Sequence, residues 1–322
     1  MIPIILASIA LAALAGFAVQ RGGVCVVAAA RDGVQDGRWG GFVAFLECSA
    51  WALCLYLLLD ALDLRAIGGW SAPSNWQGAL LGGALFGCGA LVNGACAYGA
   101  IGRLAAGEIS FLAMLASFFA GAKCSQLALA GQFPTHSVHF AVAGPAMLAL
   151  WGFLALFVLA QAARVLRSAR TRQGAQRAVR ARSWPVSLTM AVIALANVGL
   201  IALWTHWTYT GLFIDLAAGH PHADGLRAGL ALVFLGGAVL GACSAKRFRW
   251  RLTSWPELGG RVAGGALMGA GAALIPGGND GLIVMGLPLL LPNAILAYAS
   301  MSALVLAGFA IRQYRHGRGA AA

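Results

Sequence analysis

The sequence predicts an all-α integral membrane protein with about nine transmembrane helices, set in two inverted repeats with broken, re-entrant-like segments. Three observations carry that expectation. Hydrophobic residues make up 60% of the chain and charged residues only 10%, where a soluble protein carries about 25% charge. Long apolar windows with little or no charge recur along the whole length. One nine-residue, glycine-rich stretch occurs twice. Such a chain is not disordered, not a coiled coil and not a soluble enzyme.

The windows are 1–20, 40–60, 77–95, 109–130, 138–163, 185–205, 228–245, 262–276 and 288–311. Each approaches the roughly 20 apolar residues that a bilayer crossing needs. Helix is the default, because an open sheet would leave backbone polar groups unsatisfied in lipid. The first window has no basic residue before it and Arg21 directly after it. That is the reverse of a cleavable leader, so it is read as a retained span with its N-terminus outside.

The basic residues set the orientation. With the N-terminus outside, the inner segments are 21–39, 96–108, 164–184, 246–261 and 312–322, and they hold 19 of the 22 lysines and arginines. Cytoplasmic loops carry this excess, which places the chain in a bacterial-type inner membrane with its C-terminus in the cytoplasm. The net charge of +12 therefore faces lipid headgroups and no nucleic acid. Residues 1–163 form a first membrane repeat and 185–322 a second, inverted one. The Arg-rich run 164–184 links them on the cytoplasmic side.

The repeat itself reads Gly82-Gly83-Ala84-Leu85-Phe86-Gly87-Cys88-Gly89-Ala90 and, later, Gly264-Gly265-Ala266-Leu267-Met268-Gly269-Ala270-Gly271-Ala272, with seven of nine positions identical. Under the topology above the two copies run in opposite directions. After each the apolar run breaks, at Asn93-Gly94-Ala95-Cys96 and at Pro276-Gly277-Gly278-Asn279. Interrupted segments at matching places in inverted halves point to a site near the bilayer midplane. A broken helix also frees N–H groups and a positive dipole end, which suit an anion. Gly83, Gly87, Gly265 and Gly269, spaced at four, are expected to let helices approach closely.

Seven cysteines are present, with no C-x-x-C pair and no ligand cluster beside them. No metal, cofactor or catalytic constellation is expected, so the chain is read as a protein without enzymatic activity. Cys48, Cys54, Cys88, Cys124 and Cys243 lie in apolar helix and read as small core residues. Cys25 and Cys96 sit at breaks, where an S–H can donate weakly to a passing anion. Glu47 and Lys123 fall inside spans and are expected to pair. Asn197 is expected to bond between helices. His136, His139, His206, His220 and His222 read as exposed loop residues, with adventitious metal binding open to the last two.

The motif set resembles the YeeE/YedE family of sulphur-transport membrane proteins. Gly16-Phe17-Ala18-Val19-Gln20-Arg21-Gly22-Gly23-Val24-Cys25 with Ala30-Arg31-Asp32 is similar to its first signature. Leu85 to Ala90 leading into Asn93-Gly94-Ala95-Cys96-Ala97-Tyr98-Gly99, followed by Arg103, is similar to the second. Gly265 to Gly281 resembles the third, and Lys246-Arg247-Phe248-Arg249-Trp250-Arg251 the basic turn before it. The resemblance implies uptake of thiosulfate, or of a related sulfur or selenium ion, through an hourglass-shaped bundle. It also implies a cytoplasmic sulfur-carrier protein of the TusA type as receiver. Cys25 and Cys96 match two of the family's path cysteines. At the third, Gly277-Gly278 are followed by Asn279-Asp280 and the thiol is missing.

The expected substrate path is thus Cys25, Gly94, Cys96, Gly277, Gly278 and Asn279, with Arg21, Glu47, Arg103, Lys123 and Asp280 as candidate modulators. An ionised Asp280 beside the path would repel a dianion, and its removal is expected to speed uptake. Two rival readings are a membrane thiol- or persulfide-handling oxidoreductase and a non-transporting scaffold for sulfur-relay partners.

Overall fold

The computed structural model describes residues 2–64, 71–129, 136–139, 145–168, 181–204, 207–220, 225–275 and 277–319. One local plan recurs four times: a long helix, a break, a short helix and another long helix. The first unit is α1 (Ile2–Gly22), α2 (Val26–Asp36) and α3 (Gly40–Ala61). The second is α4 (Trp76–Asn93), α5 (Ala97–Ala105) and α6 (Phe111–Leu129). After α7 (Pro145–Ser168) comes the third, α8 (Val186–Trp204), α9 (Tyr209–Ala218) and α10 (Gly225–Ser244). The fourth is α11 (Trp255–Ala272), the short α12 (Asn279–Gly281) running into a π turn (Leu282–Gly286), and α13 (Pro292–Gly319). Strands β1 (Ser71–Ser74) and β2 (His136–His139) form a small antiparallel ribbon, with Ser71 opposite His139.

Seven helical segments among the described residues are long and apolar enough to cross a membrane. They coincide with seven of the nine windows. The window 138–163 falls on α7, described there as a shorter apolar stretch, Gly152–Gln161. The window 262–276 falls on α11, where Glu257, Arg261 and six glycines lower the hydropathy. The short helices were not foreseen as separate elements. Three of the breaks before them turn on glycine at positive φ, Gly23 at 62°, Gly94 at 73° and Gly277 at 80°, a region that costs a Cβ-bearing residue energy. At Gly94 the backbone N–H closes on Ala90 O at 2.9 Å, and Asn93 Nδ2 donates to Ala95 O at 2.7 Å.

Glycines set the helix packing. A Cβ on Gly82 would lie 2.8 Å from Gly271 O, and one on Gly89 would lie 2.6 Å from Gly264 O. The helices α4 and α11 therefore cross antiparallel, first glycine of one copy against last glycine of the other. The second glycines face outward from this pair: Gly83 and Gly87 meet α13 at Ala297 and Met301, whereas Gly265 and Gly269 meet α6 at Met114 and Phe118. Their expected packing role is what the contacts describe. α1 packs on α10 and α8, and α3 on α8. Gly269→Ala would put its Cβ 1.9 Å from Phe118 O, and overpacking of this kind costs about 1–3 kcal/mol. A clear fall in melting temperature is expected, set against Gly236→Ala, which meets nothing within 4 Å.

The π turn depends on α3. A π turn interrupts the α-helical hydrogen-bond ladder, and a free carbonyl is costly away from water. Ser49 Oγ donates to Ile283 O at 2.8 Å and Tyr56 Oη to Val284 O at 3.1 Å, so two α3 side chains hold it in place.

Several expectations are corrected by this packing. Cys48 is buried in the core, but Cys88, Cys124 and Cys243 are exposed on the outer surface of the bundle and Cys54 is half-buried. Asn197 Nδ2 donates to Ile193 O at 2.8 Å within its own helix, one turn back. Lys123 does not pair with Glu47: its Nζ donates to Ala217 O at 2.7 Å, at the negative end of α9. Glu47 is half-buried on α3. His220 is exposed and faces Asp215 at 3.3 Å, whereas His206, His222, Arg65, Pro276 and the linker positions 169–180 lie outside the described residues. Arg21, 5% exposed, donates to Ala181 O at 2.6 Å and lies over the rings of Phe17 and Trp184. It anchors the end of the linker to α1.

Candidate functional site

The N-termini of the four short helices meet in the middle of the bundle. Their capping residues are Cys25, Cys96, Thr208 and Gly278, all in extended backbone. The sequence pattern finds three of these breaks and misses the one at Thr208. Its signal was the apolar run Tyr209–Ala218 inside a supposed outer loop, preceded by a threonine that accepts Gly211 N–H at 3.0 Å.

Two of the four N-termini touch through sulfur. Cys25 lies beside Cys96, and Val26 N–H, the first of α2, donates to Cys96 Sγ at 3.3 Å. Close approach is possible because a Cβ on Gly99 would sit 2.6 Å from Cys25 Sγ. The other two are joined by a carboxylate. Both the backbone N–H and the hydroxyl of Thr210 donate to Asp280, and Gly278 N–H donates to Thr210 Oγ1 at 3.0 Å. Asp280, 2% exposed, thus caps α9, which satisfies that helix's free donors and opposes its dipole.

Between the pairs lies a closed, partly polar centre. Asn279 is fully buried with neither its amide nitrogen nor its oxygen bonded among the described residues, and the Tyr98 and Tyr209 hydroxyls are likewise unpartnered. The two tyrosine rings lie 6.2 Å apart, and Tyr209 stacks on Phe234 at 5.5 Å. Buried polar groups normally find partners, so unused donors and acceptors of this kind set the centre apart from the apolar core. Tyr98 falls within the second motif but is not singled out there, and no motif marks Tyr209 or Thr210; only their convergence in space does.

A cavity approaches this centre from each end. One, of about 440 Å³, is lined by Cys25, Gly94 and Gly99 and by Arg31, Arg103 and Arg247. The other, of about 190 Å³, is lined by Trp207, Thr208, Gly277 and Met285 and by the ion pair of Asp215 and Arg227, 2.8 Å apart. Arg227 and Arg247 flank the two ends of α10, whose 20 residues span about 30 Å, the thickness of a bilayer core. Of the expected path residues, Cys25 and Gly94 line the first cavity and Gly277 the second, whereas Cys96, Gly278 and Asn279 are between. Among the described residues no cluster could hold a metal ion.

Comparison with known proteins falls on these same segments. The sequence model of the family described as Sulphur transport matches residues 21–307, from just before the first break to within α13. No curated protein matches the chain.

Proposed function

The chain belongs to the sulphur-transport family, and from that premise we propose that it imports a small inorganic sulfur anion, thiosulfate first among them, along the line from Thr208 and Gly277 to Cys25. The observation that carries this reading is the pair of neighbouring thiols, reached at Cys25 by one of two cavities that lie toward opposite ends of α10. A thiol can donate a hydrogen bond to an anion without holding it as a fixed cation would, and the N-terminus of α2 directs its first N–H at the Cys96 sulfur. Asn279 and the hydroxyls of Tyr98 and Tyr209 supply further donors at the closed centre.

The halves are read as inverted repeats, supported by the reciprocal meeting of Gly82 with Gly271 and Gly89 with Gly264. The end carrying Arg31, Arg103 and Arg247 is assigned to the cytoplasm on the charge rule. A small sulfur-carrier protein of the TusA type would collect the anion there.

Reconstitution of the full chain in proteoliposomes tests the reading. Saturable uptake of radiolabelled thiosulfate, suppressed by excess unlabelled thiosulfate, is expected. A folded, correctly inserted protein without flux would sink it, and thiol–disulfide turnover by that same preparation would favour the oxidoreductase reading.

A further inference from the structure

Beside Gly94, one buried arginine makes no ion pair among the described residues, although the charges of Glu108 and Glu257 reach it alongside that of Arg103. Arg261 is 8% exposed and forms no hydrogen bond or ion pair among the described residues, and its Nε is buried and unpartnered. Its guanidinium lies 4.4 Å from the centre of the Phe111 ring, with that of Arg103 5.0 Å from the same centre. The Nη1 atoms of both reach one point: a Cβ on Gly94 would lie 3.4 Å from that of Arg261 and 3.9 Å from that of Arg103. Gly94 and Arg103 both line the larger cavity.

The surrounding charges do not balance. Arg103 is matched by Glu108 at 2.7 Å, Arg251 by Glu257 at 3.9 Å and Arg31 by Asp32 at 3.0 Å. Arg247 in the lining and Arg261, behind Gly94, have no ion-pair partner among the described residues. A buried cation beside a like charge is unfavourable unless an anion joins it, and planar guanidinium forks fit tetrahedral oxyanions in two-point contact.

We propose that Arg103 and Arg261, with Arg247 at the rim, form a binding site for a tetrahedral dianion at the basic end of the molecule, next to the thiol pair and distinct from it. The inference deepens the transport reading by giving the anion a second stop, and that reading is its context. The glycine at position 94 serves it twice, by turning the chain and by leaving the space into which both arginines point.

Sulfate is the probe, because it offers the dianion without a terminal sulfur for the thiols. Titration of sodium sulfate into the full chain in detergent, at matched ionic strength in chloride, is expected to show one site per chain. Arg261→Gln should weaken it about tenfold or more, the loss of one charge-assisted contact, and Arg312→Gln should leave it unchanged. Should Arg261→Gln fail to fold, Arg261→Lys is read instead: it keeps the charge and loses the fork, and a several-fold weakening is expected. Sulfate affinity equal to wild type in the folded Arg261 variant, or no sulfate binding at all, would overturn the site and mark Arg261 as a packing residue over Phe111. Sulfate binding that depends on Arg261 in a protein without thiosulfate flux would uphold the site and overturn the transport reading alone.

Discussion

Cys96→Ala is expected to reduce thiosulfate uptake in proteoliposomes by about tenfold or more, the change that about 1.4 kcal/mol of lost barrier stabilisation represents. Cys96 is fully buried at the point where α2 and α5 meet, and its sulfur accepts Val26 N–H next to Cys25. Alanine removes the donor from the closed part of the route and leaves that N–H without its acceptor. Cys25 borders the open cavity, where water can take over part of its role, so Cys25→Ala should lose less. Cys96→Ser restores a donor and an acceptor and should recover part of the rate. Cys243→Ala, exposed on the bundle surface, should stay within about twofold of wild type, since such surface changes are worth about 0.5 kcal/mol or less. A similar loss from Cys243→Ala and Cys96→Ala would remove the basis for giving the thiols different roles.

How much of this was legible in the residues alone depends on the length scale of each signal. Apolar windows fix long helices because the bilayer demands a continuous run of about 20 residues, and α1, α3, α4, α6, α8, α10 and α13 follow them. The glycine repeat predicted close packing, and the contacts of Gly83, Gly87, Gly265 and Gly269 bear it out. The breaks at Cys25, Gly94 and Gly277 were visible because glycine punctuates an apolar run. The break before α9 was not, because threonine caps a helix without any glycine and Tyr209–Ala218 is too short for a span. Side-chain pairing was least legible. Glu47 and Lys123 invited each other as lone opposite charges, yet Lys123 is closer to the end of α9 and takes Ala217 O. The buried tyrosines were not singled out, although Tyr98 lies inside a motif, since an aromatic in an apolar helix reads as core until its unpartnered hydroxyl is located.

Asp280→Ala is expected to destabilise the protein and to lower uptake, the reverse of what a charge standing beside the path would do. Neither cavity lining includes Asp280, and both its oxygens are engaged by Thr210. The carboxylate satisfies the second N–H of α9, and the Thr210 hydroxyl passes the link on to Gly278 N–H. Alanine would leave a buried N–H and hydroxyl unsatisfied at about 1–3 kcal/mol, and would remove a favourable charge at a helix N-terminus worth about 0.3–1 kcal/mol. Asp280→Asn keeps an acceptor and should lose about half as much. Thr210→Val removes the shared hydroxyl and strands Gly278 N–H, so it should cost about as much as Asp280→Ala. Because both changes break one network, the double variant should fall short of the sum of the singles by about 0.5–3 kcal/mol. Thermal melts of the four proteins measure the coupling, and uptake by those still folded gives the rates. Faster uptake by Asp280→Ala at unchanged stability would mean that the carboxylate opposes the anion directly, and that its contact with Thr210 holds nothing together.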